Sequence, residues 1–133
     1  MIRYRKGFKY QLAEDYYIIL DLKIPKSVES DFLLLANNGV LKIFKGYAWD
    51  GASGITFDTK SSMRGALVHD ALYQLMRMEL ISIDFRLFAD KTLKRICIED
   101  GMYEWRAEMW FKAVQGFADF AAEPKNLKKV EIA

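Results

Sequence analysis

The chain contains one histidine, His69, followed directly by Asp70, and Tyr73 comes four residues after the imidazole. On a helix that spacing puts the phenol one turn away on the same face. A further carboxylate, Asp90, stands in Phe88-Ala89-Asp90-Lys91, on what reads as the next helix. This set suits general acid–base chemistry. A neutral imidazole can take a proton from water, while a carboxylate on its other nitrogen fixes the tautomer and stabilises the imidazolium. His69 and Asp90 are the candidate dyad, and Tyr73 can hydrogen-bond the same carboxylate. Adjacent helical residues do not share a face, so Asp70 is expected to point back toward Gly46-Tyr47-Ala48-Trp49-Asp50-Gly51-Ala52-Ser53-Gly54. Asp70, Asp50 and the backbone carbonyls of residues 47–54 are candidate oxygen ligands for a hard cation such as calcium.

The same residues admit a reading without catalysis. Asp50, Ser53, His69, Asp70, Tyr73 and Asp90 can form a satisfied internal network that fixes the loop against the helices. Arg64 and Arg86 suit either a phosphate or pairing with Asp50, Asp58 or Asp90. Cys97, two turns beyond Asp90, can be drawn as a Cys–His pair, but a lone cysteine in an apolar helix is ordinarily packed and inert. A single histidine excludes zinc sites and two-metal phosphohydrolase centres built from several histidines. A single cysteine excludes an intrachain disulfide.

The elements that must position these residues follow from pattern. Phe8-Lys9-Tyr10-Gln11-Leu12 and Tyr16-Tyr17-Ile18-Ile19-Leu20 read as two short strands with Ala13-Glu14-Asp15 as their turn. Asn38-Gly39, between apolar runs, predicts a hairpin of strands near 31–36 and 40–46, because both residues accept the positive φ of a tight turn. The period then changes to that of a helix. Asp58, Thr59, Ser61 and Ser62 offer caps for a helix of about residues 62–79. Ser82 or Asp84 can cap a second, about 84–99, which ends before Gly101. A third, about 102–121, is stopped by Pro124. The third helix carries two apolar stripes, Tyr103-Trp110-Val114-Phe117 and Trp105-Met109-Ala113-Phe120. That pattern predicts burial between layers, with a partner subunit or a lipid surface over the second stripe as the alternative.

The expected fold class is α+β, a small N-terminal antiparallel sheet followed by three packed helices, as a single domain over 1–124 with a polar tail at 125–133. At 133 residues, 52% hydrophobic and 29% charged, the chain can bury a sizeable core. A net charge of +2 argues against a nucleic-acid surface. Phe85, Leu87 and Phe88 would crowd the recognition helix of a helix-turn-helix. The N-terminus carries charge without a following apolar run, so no signal peptide is read, and no segment reaches the ~20 apolar residues of a membrane span. A soluble protein made in the cytoplasm is expected.

Two resemblances carry further expectations. The His-Asp-x-x-Tyr helix (His69, Asp70, Tyr73), the preceding glycine-rich loop and the Ala-Asp of the next helix resemble the phospholipase A-two superfamily, most closely its short, disulfide-free viral members. That likeness spans roughly residues 46–95. It implies that His69 activates water, Asp70 binds calcium, Asp90 orients the histidine and the substrate is a lipid or another ester. The loop departs from that family in lacking its cysteine and in carrying Asp50. The strand pair, the loop, the His-Asp-x-Leu-Tyr helix and Arg86-x-x-x-Asp90 together resemble a phage and prophage family, domain of unknown function 1353. Where that family often has proline shortly after the loop serine, this chain has Gly54-Ile55-Thr56. The likeness implies a phage or prophage source and a small α+β domain, and no established reaction; with the stripes of the third helix, the expected partners are other phage proteins or a second copy, in the host cytoplasm or the virion. The leading expectation is a small ester hydrolase; the alternative is a non-catalytic virion or assembly protein.

Overall fold

Alternation builds the strands. Leu33, Leu35, Leu41 and Ile43 are wholly buried, whereas Leu34 and Lys42 between them are half-buried on the opposite face. The computed structural model describes residues 4–5, 10–49 and 60–116. Asp50, Ser53, Asp58 and Thr59, the end of the third helix with Phe117 and Phe120, and the tail at 125–133 lie outside the described residues. Those that are described fall into two compact units, one of strands up to Trp49 and one of helices from Lys60 onward. The architecture is α+β, with antiparallel strands followed by three helices.

The strand unit contains β1 (Tyr4–Arg5), β2 (Tyr10–Leu12), β3 (Tyr16–Ile19), β4 (Val28–Glu29), β5 (Leu33–Leu35), β6 (Val40–Ile43) and β7 (Ala48–Trp49). One sheet has the order β1-β2-β7 and the other β3-β6-β5-β4, with every pairing antiparallel. The expected hairpin between β2 and β3 is not formed. Both strands instead pair with the 40–49 segment, Tyr16 opposite Ile43 in one sheet and Tyr10 opposite Trp49 in the other, and the ladder is interrupted between them. Ala13-Glu14-Asp15 lacks the glycine or asparagine that a tight reversal favours, so the chain bends there without turning back. At the bend the Lys45 amide donates to Asp15 Oδ1 at 2.8 Å, and the Gly46 amide donates to the Leu12 carbonyl at 2.8 Å.

The Asn-Gly hairpin does join β5 to β6. Its loop is Asn37–Gly39, and only Gly39 takes positive φ, at 101°. A Cβ there would run into the Leu20 and Leu22 carbonyl oxygens, so the site admits glycine alone.

The helical unit contains α1 (Lys60–Arg77), α2 (Arg86–Glu99) and α3 (Glu104–Gly116). From Ser62 to Arg77 every residue of α1 except Arg64 and His69 is buried, the pattern of a helix covered on all sides. It ends in a Schellman turn, with the Leu80 amide on the Leu75 carbonyl and Glu79 at positive φ, 59°. A single 3-10 turn, Ile83–Phe85, leads into α2, and Ser82 caps it by accepting the Asp84 amide at 3.0 Å. Gly101, at φ 102°, closes α2 with the Met102 amide on the Cys97 carbonyl. Ala66, Leu93, Cys97, Met102, Ala107, Trp110 and Val114 make a continuous core across all three helices.

The expected burial of α3 on two sides is not found. Ala107, Trp110 and Val114 are buried, whereas Tyr103, Trp105 and Met109 are 74%, 65% and 59% exposed. One face of α3 meets the core, and no described element covers the other.

Candidate active site

α1 and α2 run antiparallel, as contacts along their length establish. Arg64 reaches Asp100, Gly65 lies against Leu93 and Cys97, and His69 reaches Asp90. The approach is close at Gly65. A Cβ there would lie 3.0 Å from Cys97 Sγ, 3.1 Å from Leu93 Cδ1 and 3.2 Å from the Leu93 carbonyl oxygen. His69 follows one turn later on the same face, so the missing side chain lets its imidazole reach the facing helix.

The reach is short. His69 Nε2 lies 2.6 Å from Asp90 Oδ1, and the Tyr73 hydroxyl donates to that same oxygen at 2.8 Å. The two rings stack, with centroids 4.4 Å apart and planes at 29°. Gln115 Nε2, from α3, donates to the other oxygen, Asp90 Oδ2, at 2.6 Å. Asp90 has no exposed surface, and these three contacts satisfy its carboxylate. The His69 side chain keeps 12% exposure. Among the described residues the His69 side chain is bonded through Nε2 alone. Burial first, and then the Asp90 charge beside it, push the Tyr73 phenol well above its ordinary pKa, so it stays a neutral donor. Arg86 and Arg77 oppose that shift from nearby.

No family model, no curated protein and no solved structure matches the chain. The chemistry of the site rests on its geometry.

The sequence-predicted residues divide accordingly. His69, Tyr73 and Asp90 come together. Asp70 is buried on another side of α1, with Arg77 Nη2 at 3.9 Å from its Oδ1, and Arg77 Nε donates to Gln74 Oε1 at 3.0 Å. A guanidinium beside a carboxylate opposes a second cation there. Asp50 and the 50–54 carbonyls lie outside the described residues, and among the described residues no three His, Cys, Asp or Glu side chains group as a metal site.

Asp50 and Asp58 lie outside the described residues, and among the described carboxylates Arg64 meets the end of α2 rather than Asp90. It forms a fork on Asp100, with Nε to Oδ2 at 3.0 Å and Nη2 to Oδ1 at 3.0 Å, and Nη2 also reaches Glu99 Oε1 at 2.9 Å. Cys97 is fully buried in the apolar core, and desolvation pushes its thiol up to about 12, so it is no nucleophile at neutral pH.

Sequence reasoning missed Gln115. A glutamine at an exposed position of α3 carries no signal of its own. The only hint available was Asp90 itself, whose second oxygen needed a donor once it was placed in a core.

Proposed function

We propose that the protein is a small hydrolase in which His69 is the general base that activates water against an ester. The observation that carries this reading is the 2.6 Å contact between His69 Nε2 and the buried Asp90 carboxylate. It commits Nε2 as a donor and leaves Nδ1 with the lone pair. Water at Nδ1 gives up a proton as its oxygen attacks the ester carbonyl. The imidazolium that forms is stabilised by Asp90, and its proton then passes to the leaving alkoxide. Tyr73 supports the dyad by donating to Asp90.

Lipid-like esters are the substrate class suggested by the likeness to phospholipases. The metal-free version of the reaction is favoured, because Arg77 already stands beside Asp70. When bound, calcium would polarise the ester carbonyl. A rise in Tm at millimolar calcium, reversed by EDTA, would bring Asp70 back as its ligand.

The test is a screen of phospholipids and simple esters with wild type, His69→Ala and Asp90→Asn. Hydrolysis by the wild type, reduced about a hundred- to ten-thousand-fold in both variants, is the expected result. A denaturant melt on the same samples separates the second reading, a non-catalytic phage virion or assembly protein. Two observations favour that alternative: the complete enclosure of Asp90 and the exposed Trp105 and Met109 of α3, which suit contact with another phage protein or a second copy. It requires a wild type inert on every ester and a His69→Ala variant less stable by about 3 kcal/mol, since truncation strands a buried charge.

A further inference from the structure

Asp90 must hold the plane of its carboxylate so that one oxygen lies in line with His69. The terminal torsion of an aspartate is broad, so the side chain alone does not fix that plane. Oδ1 already accepts from both His69 and Tyr73 on α1. The only described group on Oδ2 is the Gln115 carboxamide of α3, at 2.6 Å.

We infer that Gln115 is the positioning residue of the dyad: by holding Oδ2 it locks the rotation of the Asp90 carboxylate and so fixes His69 in the tautomer with its proton on Nε2. This inference rests on the reading of His69 as a base, and it assigns α3 a part in the site.

The chemistry of the donor fits this part. A lysine or arginine at the same place would compete with the imidazolium for the carboxylate's charge. A neutral amide satisfies the lone pair and leaves the full charge to His69. The groups around the carboxylate are His69 and Tyr73 from α1 and Gln115 from α3, with Arg77 of α1 and Arg86 of α2 near enough to act on Tyr73. Glu108 of α3 is engaged with Lys94 at 2.7 Å and Lys112 at 3.9 Å.

The test uses the full chain, and its single histidine makes the ring spectrum free of assignment. Nitrogen-15 NMR of the imidazole is recorded without substrate for wild type, Gln115→Leu and Gln115→Glu. Wild type is expected to show one tautomer, with a far-downfield Nε2 proton that exchanges slowly. Gln115→Leu should mix the two tautomers and speed exchange of that proton at least tenfold.

Gln115→Glu, nearly isosteric, sets a second carboxylate against Asp90. At neutral pH the two repel and the tautomers should mix. Toward pH 5 a shared proton should return the Nε2 proton to the exchange rate of wild type at the same pH, whereas Gln115→Leu, which has no proton to share, should stay fast. A residue that only packs would give no such pH-dependent recovery. If Gln115→Leu fails to fold, Gln115→Glu still decides the matter. Unchanged tautomer and exchange in the folded variants would overturn the assignment of Gln115, whatever the hydrolysis screen gives. A wild type inert on every ester would instead remove the hydrolase and leave the tautomer result standing.

Discussion

Asp90 Oδ1 accepts two hydrogen bonds and Oδ2 one, and the two donors on Oδ1 are not equivalent. One is a ring nitrogen and the other a phenol, and Tyr73 is held neutral by burial and by the carboxylate charge. Tyr73→Phe therefore removes one fixed donor and keeps the ring stacked on the imidazole. It should cost about 1.5 to 3 kcal/mol, the range for a hydrogen bond to a charged group, as read by urea melts. An unchanged midpoint would mean that water replaces the hydroxyl and that Asp90 is less enclosed than its surroundings imply. At this scale the dyad and Tyr73 were legible in the sequence, because i and i+4 share a face and short-linked helices pack antiparallel. Gln115 was not, since an exposed glutamine looks alike whether it meets solvent or reaches back to a buried acid.

At the scale of elements, the spacing of α1 from α2 is set where a side chain is missing. Helix propensity alone favours Gly65→Ala by about 1 kcal/mol. Packing opposes it, because the new methyl would crowd a flexible leucine tip, a thiol and the Leu93 carbonyl oxygen, and that last atom moves only with its helix. Overpacking of this kind costs about 1 to 3 kcal/mol, so the variant is expected to be less stable on balance, by about 1 kcal/mol in a thermal or urea melt. A stabilised Gly65→Ala would show that the helices separate easily. Ser82 caps the 3-10 turn, and α2 itself follows Phe85 with no side-chain cap, whereas the end of α2 at Gly101 could be read directly, since it belongs to a known end motif. Glycine inside α1 could not, because in a sequence it registers only as a penalty. The β2–β3 connection misled for a related reason. Two strands separated by a short polar run look like a hairpin, and nothing local reveals that both are paired to one distant ribbon.

Taken whole, the molecule should respond to acid through ion pairs at the far end of the α1–α2 contact. Hydrogen bonding from Arg64, and then from Arg95, holds the Glu99 carboxyl below the usual carboxylate range. A depressed folded pKa stabilises the fold at every pH above the ordinary glutamate value, about 4.3. That contribution fades as pH falls through the lower folded value. Glu99 is 45% exposed, so solvent screening keeps it to about 1 kcal/mol or less. Glu99→Gln should lower Tm slightly at about pH 6, with the difference vanishing near pH 3 and shrinking in high salt. A difference that grew in acid would reverse the sign and refute the pairing. The α+β order of the chain was readable from the change of hydrophobic period near residue 60. Its division into a strand unit and a helix unit was not, because periodicity reports elements and says nothing of how they group.

The burial of Cys97 has one more consequence. The sole thiol of the chain sits among α1, α2 and α3, closed off from solvent, with its proton held firmly. A thiol-reactive dye can therefore reach it only when the helical unit opens, and the labelling rate becomes a clock for that opening. With dye in excess and closing faster than reaction, the ratio of unfolded to native labelling rates gives the opening equilibrium, each tenfold of protection corresponding to about 1.4 kcal/mol. Strong protection that falls in step with urea is expected. Rapid labelling in the absence of denaturant would mean that the core around Cys97 opens locally, without unfolding of the whole helical unit.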